Sequence, residues 1–278
     1  MPRNSLKRTI SMSRRLSVLF LLAAVLAVTS CSSEFEKLLA GYDFDKKYKT
    51  ALQLYDEEKY SKAAQLLESL AVNAQGLPQD DTIQFYWAMS NYKMYDYATA
   101  EKNFSEFIQT FPSSAFAEEA EFRMIDCMYR GTYRYELDQR PTHHALGYIT
   151  RYILDHPKSE YANYCYVMQT DLHERLDKKA FEGARLYYHM EDYKAAHHAL
   201  KNVLKDDADN QYREDIMYYT AMAAYKYAFN SVPEKQKERY MTFLDEYYNF
   251  VSEFPESKHK SELDGLYKKV NKQIKKEE

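Results

Sequence analysis

The stretch Tyr97–Pro112, "YATAEKNFSEFIQTFP", decides the fold. Tyr97, Ala100, Phe104, Phe107 and Pro112 stand at steps of 3, 4, 3 and 5. Steps of 3 and 4 line one face of an α-helix. The alanine in that face lets a second helix approach closely, and the proline stops the helix. The frame recurs along the chain. Tyr60, Ala63, Leu67 and Leu70 repeat it upstream. Ala145, Ile149, Tyr152 and Pro157 repeat it downstream, then Tyr193, Ala196, Leu200 and Val203. Tyr240, Phe243, Tyr247, Phe250 and Pro255 do so last, with phenylalanine at the small position. "FPSS" (Phe111–Ser114), "HPKS" (His156–Ser159) and "FPES" (Phe254–Ser257) punctuate it, each offering a serine to cap the next helix.

This pattern resembles the second helix of the tetratricopeptide repeat (TPR). Each copy follows another apolar-periodic helix, expected at about Lys46–Glu57, Asp80–Tyr95, Ala115–Tyr129, Ser159–Met190 and Gln211–Phe229. The resemblance implies an all-α, right-handed superhelical stack of five irregular helix pairs. Their units run at about 46–78, 79–114, 115–158, 159–210 and 211–257, and a charged helix near Lys258–Lys275 caps the stack. Successive small positions are 37, 45, 51 and 47 residues apart, against the usual 34 of such repeats. The excess is expected in a loop at Arg130–His144 and in a very long helix at Ser159–Met190, whose one weak breaker is Gly183.

Composition agrees. Six glycines and seven prolines in 278 residues build few turns, so the chain must be almost wholly helical. Tyrosine, at 28 residues, suits interlocked helices with half-exposed surfaces, because its ring packs while its hydroxyl reaches water or a partner.

The N-terminus reads as an address. Arg3, Lys7, Arg8, Arg14 and Arg15 precede a run of thirteen residues, Leu16–Val28, that is apolar apart from Ser17. A membrane span needs about 20 apolar residues; this run has the length of a signal peptide. Met12 would serve equally well as the start, and Ser17 breaks the apolar pair that a twin-arginine signal wants. Val28-Thr29-Ser30-Cys31 resembles a bacterial lipobox. That resemblance implies removal of residues 1–30 and a covalent lipid on Cys31, with 31–45 a linker and 46–278 the TPR domain. Two or more acyl chains anchor stably where one does not. The mature chain carries 33 basic and 42 acidic residues, a net charge of −9, which argues against nucleic acid as a partner. Cys127 and Cys165 sit in apolar helical patterns and are expected as small buried thiols rather than a disulfide.

Lipobox and repeats together resemble the BamD family, the lipoprotein subunit of the bacterial β-barrel assembly machine. "LDQRPTHHALGYITRYILDHPKSEYA" (Leu137–Ala162) is similar to the family's D-Q-x-x-T-x-x-A…P-x-S-x-Y-A segment through Asp138, Gln139, Thr142, Ala145, Pro157, Ser159, Tyr161 and Ala162. "ARLYYHMEDYKAA" (Ala184–Ala196) is similar to another through Ala184, Tyr187, Tyr193, Ala195 and Ala196. Proteobacterial members tend to carry a basic residue where this chain reads Met190-Glu191-Asp192. Ser32 after the cysteine suits outer-membrane retention, and Glu34 and Glu36, split by Phe35, make a poor surface-export signal, which favours the periplasmic over the surface face. The resemblance implies an outer-membrane adaptor with two jobs. The N-terminal units would bind C-terminal signals of unfolded barrel proteins, and the C-terminal units would dock on periplasmic domains of the barrel-inserting subunit. Other accessory lipoproteins are further candidate partners. Aromatics crowd the first two units, and Tyr55, Tyr60, Phe85, Tyr86, Tyr92 and Tyr95 are the groove candidates. Any one of them can instead be core. Arg185, Glu191 and Asp192 are the docking candidates.

Chemistry is expected to be absent. The sequence holds no phosphate-cradling GxxxxGK or GxGxxG and no HExxH. His143-His144 and His197-His198 are adjacent pairs, whose side chains diverge on a helix rather than converge on a metal. No cofactor and no catalysis are expected. The competing function is capture of a glycan or other ligand beside an outer-membrane transporter, with exposed tyrosines stacking on sugars.

Overall fold

The computed structural model describes residues 34–275. Cys31 and the signal segment lie outside the described residues. Those described are helical, with no strand among them: α1 (34–40), α2 (Phe44–Asp56), α3 (Tyr60–Ala71), α4 (Asp80–Lys93), α5 (Tyr97–Thr110) and α6 (Ala117–Arg130). Then follow α7 (Arg140–Asp155), α8 (Ala162–His189), α9 (Tyr193–Asp206), α10 (Arg213–Phe229), α11 (Pro233–Glu253) and α12 (Lys260–Ile274). They form two compact units that meet in sequence at Gly131/Thr132. The two helices expected as the third pair, α6 and α7, therefore belong to different units.

The repeat frame is the core. In the first unit Ala63, Leu67, Leu70, Ala100, Phe104 and Phe107 are buried. In the second unit Ala145, Ile149, Tyr152, Ala196, Leu200, Tyr240, Phe243, Tyr247 and Phe250 are buried. The alanines have no exposed surface, because each sits where a neighbouring helix crosses. The long α8 is one helix of 28 residues. The closing helix α12 seats Leu263 and Val270 in the core of the second unit. There the Tyr247 hydroxyl donates to Asp264 at 2.7 Å, and Tyr247 stacks on Tyr267 at 4.5 Å.

Scarcity of glycine shapes the tight turns. After α2, α4 and α8 the chain reverses through Glu58, Tyr95 and Glu191, whose φ angles are 59°, 64° and 63°. Glycine is the usual occupant of that left-handed position. Each turn is closed by a bond from the next residue back to a helix carbonyl: Lys59 to Leu54 at 2.8 Å, Asp96 to Asn91 at 3.1 Å, Asp192 to Tyr187 at 3.0 Å. A tyrosine pair straddles each turn edge-on. Tyr55–Tyr60, Tyr92–Tyr97 and Tyr188–Tyr193 have centroids 5.4, 5.7 and 5.4 Å apart, at 69°, 68° and 67°. Six of the 28 tyrosines thus serve as a repeated brace.

Two expectations are corrected. The serines after the prolines do not cap the helices directly. Ser114, Ser159 and Ser257 accept the N–H of Phe116, Tyr161 and His259, two residues on, in turns that precede the helices. Ser114 also donates to Asp81 and Ser257 to Glu214, tying each turn to an earlier helix. The loop in the middle of the chain is shorter than Arg130–His144. Helix α7 starts at Arg140, since Pro141 lies in its first turn, where a missing N–H costs nothing.

Candidate functional site

In the first unit, five of the six groove candidates are partly exposed tyrosines on α2, α3, α4 and the turn before α5. The sixth, Phe85, is core. It is 3% exposed and packs on Phe104, Phe107 and Phe116, the last stacked at 4.5 Å. Tyr55 meets Tyr60 at 5.4 Å and Tyr86 at 4.8 Å. Tyr92 and Tyr95 both flank Tyr97, at 5.7 and 6.1 Å. The Tyr60 phenol is pushed up by desolvation, then by Glu58 and Tyr95. The result is a tyrosine face along one side of the unit. Burial lifts Tyr55 to about 12, and burial with the bond to Asp126 does the same for Tyr92.

Helix α6 adds charge to this face, which sequence reasoning missed. Its signal was present as two acid-to-arginine pairs one turn long, Glu119/Arg123 and Asp126/Arg130, seven residues apart. Arg123 donates to Glu119 at 2.8 Å, and its guanidinium lies 5.4 Å from the Tyr92 ring centre. Asp126 is buried and accepts from the Tyr92 hydroxyl at 2.5 Å and from Arg130 Nε at 2.6 Å. Arg130 lies over Tyr97 at 5.1 Å. Cations on ring faces are held by the ring quadrupole. The hydrogen bond to Asp126 fixes the charge on Arg130. The adjacent Cys127 is inert, its thiol lifted to about 12 by burial. It and Cys165 are buried and form no disulfide.

In the second unit, Asp192 is the N-cap of α9, accepting the Ala195 N–H at 3.1 Å, and Glu191 occupies the left-handed turn position. Arg185 pairs with Glu182 at 2.7 Å and lies over Phe181 and Tyr219 at 5.2 and 5.6 Å. Arg185 and the turn residues are thus parts of one helix end. A groove of ≈ 610 Å³ opens beside α9, α10 and α11, lined by Lys201, Lys205, Arg213, Glu246, Asn249 and Glu253 among others. Glu246 is buried and accepts from His197 Nε2 at 3.0 Å and Lys201 Nζ at 2.8 Å. Desolvation alone would raise its carboxyl; the bonds from His197 and Lys201 outweigh that and hold it below the usual range.

The D-Q-x-x-T segment has a physical purpose. Gln139, 5% exposed, donates to the carbonyls of Arg134 and Leu137 at 2.8 and 3.1 Å. Thr142 fixes the amide by donating to its Oε1 at 2.7 Å. Lys179 of α8 donates to the carbonyls of Tyr135, Glu136 and Leu137 at 3.1, 3.3 and 2.8 Å. The loop after Gly131 is therefore tied down at both sides. Among the described residues no group of three or more His, Cys, Asp or Glu is placed to hold a metal, and no helix is long and apolar enough to cross a membrane.

These features define an all-α protein of paired TPR-type helices with an aromatic face. The chain belongs to the YfiO outer membrane lipoprotein family, whose model matches residues 42–239. No curated protein matches it. Among solved structures, a thermophilic TPR protein of Thermus thermophilus is similar at 16% identity over 82% of this chain and 98% of that one, with a TM-score of 0.32.

Proposed function

We propose that this lipoprotein is a non-catalytic adaptor of the outer-membrane β-barrel assembly machine. A lipid on Cys31 holds it on the periplasmic face, and it works without a cofactor. The tyrosine face of the first unit receives the C-terminal signals of unfolded barrel proteins. The second unit, through Arg185 and the surface beside α9 and α10, docks on periplasmic domains of the barrel-inserting subunit, and accessory lipoproteins join the same assembly. The observation that carries this reading is the tyrosine face in a member of an outer membrane lipoprotein family. Barrel C-termini end in aromatic and apolar residues, and rigid aromatic surfaces bind such side chains at low entropic cost.

The test is co-purification. Tagged full-length chain drawn from detergent-solubilised outer membrane is expected to bring the inserting subunit with it. Recovery of a transporter barrel in its place, with sugar eluting from the complex, would overturn the adaptor in favour of ligand capture.

A further inference from the structure

We infer that the end of the first unit nearest Cys31 is a second membrane contact: the groove between α1, α2 and α3 rests on anionic phospholipid headgroups, with its lysines on lipid phosphates and Tyr42 at the interface. The inference goes beyond the adaptor reading and rests on one part of it, the lipid on Cys31.

Chain length brings this end to the leaflet. A chain reaches at most about 3.6 Å per residue, so Glu34, three residues on, stands within about 11 Å of Cys31. Helix α1 does not lengthen that tether. Its Phe35, Leu38 and Leu39 pack on the core formed by Ala51, Ala63, Leu66 and Leu67. A unit held this closely presents α1 and the turn into α2 to the lipid surface.

What it presents suits that surface. A groove of ≈ 610 Å³ lies here, and Phe35, Leu38 and Leu54 line it beside Lys37, Lys46, Lys59 and Lys62. Only two acids, Glu34 and Asp43, line it against these four lysines; Glu36 and Asp45 stand outside the lining. The groove is thus locally positive in a chain that is acidic as a whole. Asp43 is already occupied as the N-cap of α2, accepting the Lys46 N–H at 3.0 Å. Lys59 is paired with Glu57 at 2.6 Å, and Lys62 lies 5.1 Å above the Phe35 ring. Lys37 and Lys46 are exposed, and no ion pair holds either of them among the described residues. Lys46 stands in the first turn of α2, where the helix dipole favours an acid. Its charge therefore works against the helix and calls for an anion outside it. Tyr42, between the lining residues Gly41 and Asp43, is fully exposed. Such a ring fits the headgroup boundary, where its apolar body and polar tip both find partners. Lysine stems likewise cover apolar surface while their charges reach phosphate, and each basic residue near an anionic leaflet adds to binding.

The test uses the mature chain from Ser32, which keeps every described residue but lacks the lipid that would hold it to any vesicle. Co-sedimentation is measured with vesicles of phosphatidylcholine alone and of an equal mixture with phosphatidylglycerol. Wild type is expected to bind the mixed vesicles about tenfold more tightly than the neutral ones. Lys37→Glu with Lys46→Glu should bind the two alike, and should stay folded by circular dichroism because an acid suits the first turn of α2. Lys158→Glu with Lys258→Glu, exposed in the second unit and equal in charge, should keep the preference. Tyr42→Ala should bind both vesicles several-fold more weakly, and a Tyr42→Ala that matches wild type would overturn the role of the ring. Equal binding of wild type to both vesicles would overturn the surface, as would equal loss of the preference in the two lysine pairs. Palmitate labelling of the full-length chain separates this from the anchor. Label on Cys31 with no vesicle preference overturns the surface alone and leaves the adaptor standing. A wild type that takes no label overturns the anchor, and this inference with it.

Discussion

The turn Tyr92–Tyr97 in the first unit and the turn Tyr188–Tyr193 in the second are built to one plan. Both reverse through a left-handed residue, at φ 64° and 63°. Both cap the next helix with an aspartate, Asp96 accepting from Thr99 at 3.2 Å and Asp192 from Ala195 at 3.1 Å. Both brace the reversal with an edge-on tyrosine pair. They differ in what the plan displays. The first shows Tyr95 to solvent and sets Tyr92 against the Asp126–Arg130 pair. The second shows Glu191 and packs Tyr188 against Tyr219 at 5.2 Å. The shared parts make the helix hairpin; the differing parts set what each turn shows to its surroundings.

The largest expected effect breaks the shared plan. Ala100→Arg and Ala196→Arg each force a long cation into a helix crossing with no free surface. Overpacking and burial of an unpaired charge should cost about 3–5 kcal/mol in either unit, read from urea melts. A variant that melts like wild type would refute the frame at that unit.

Next in size is a contact of the second unit that links α9 to α11. Glu246→Gln should cost about 2 kcal/mol at neutral pH, because a buried carboxylate loses two charge-assisted bonds. The folded carboxyl is held below its ordinary value. Its contribution is therefore present above the unfolded value, near 4.3, and lost as pH falls through the folded value. The gap between wild type and variant should close on acidification below about pH 4. A gap that widens there would contradict the assignment.

The left-handed positions separate display from construction. Tyr95→Gly and Glu191→Gly should each stabilise by about 0.5–1 kcal/mol, since glycine adopts that backbone freely. Only Tyr95→Gly should weaken peptide binding. Equal loss of peptide affinity in both would erase the distinction between the turns. The smallest effect is Gly183→Ala in the middle of α8, where an added Cβ meets nothing within 4 Å. A gain of about 0.5–1 kcal/mol is expected in the thermal melt of the second unit.

How far the sequence was legible follows from the reach of each interaction. The frame of Ala100, Phe104 and Phe107 was legible because helix periodicity is local. So was the uninterrupted α8, since Gly183 alone does not end a helix. The start of α7 was misread because Pro141 marks the beginning of a helix as readily as a break. The left-handed turns were hidden, as glutamate and tyrosine carry no signal for that backbone. Side-chain contacts between helices were hidden by distance along the chain: Tyr92 and Asp126 are 34 residues apart in the first unit, and His197 and Glu246 are 49 in the second. Sequence alone also failed to sort core from surface among the aromatics, which put Phe85 beside Tyr86 though the two point to different environments.

The central claim is that two faces do two jobs, and a double assay on two variant sets tests it most directly. One set, Tyr86→Ala with Tyr95→Ala, alters the first unit; the other, Arg185→Glu with Glu191→Lys, alters the second. Each is scored for affinity to a barrel-derived C-terminal peptide and for co-purification with the inserting subunit, on chains of unchanged circular dichroism. The first set should lose roughly tenfold or more in peptide affinity and keep its partner, as anchor residues contribute about 1–2 kcal/mol each. The second should keep the peptide and lose the partner, because repeat units couple mainly to their neighbours. A single set that abolishes both activities while the fold stays intact would contradict the account.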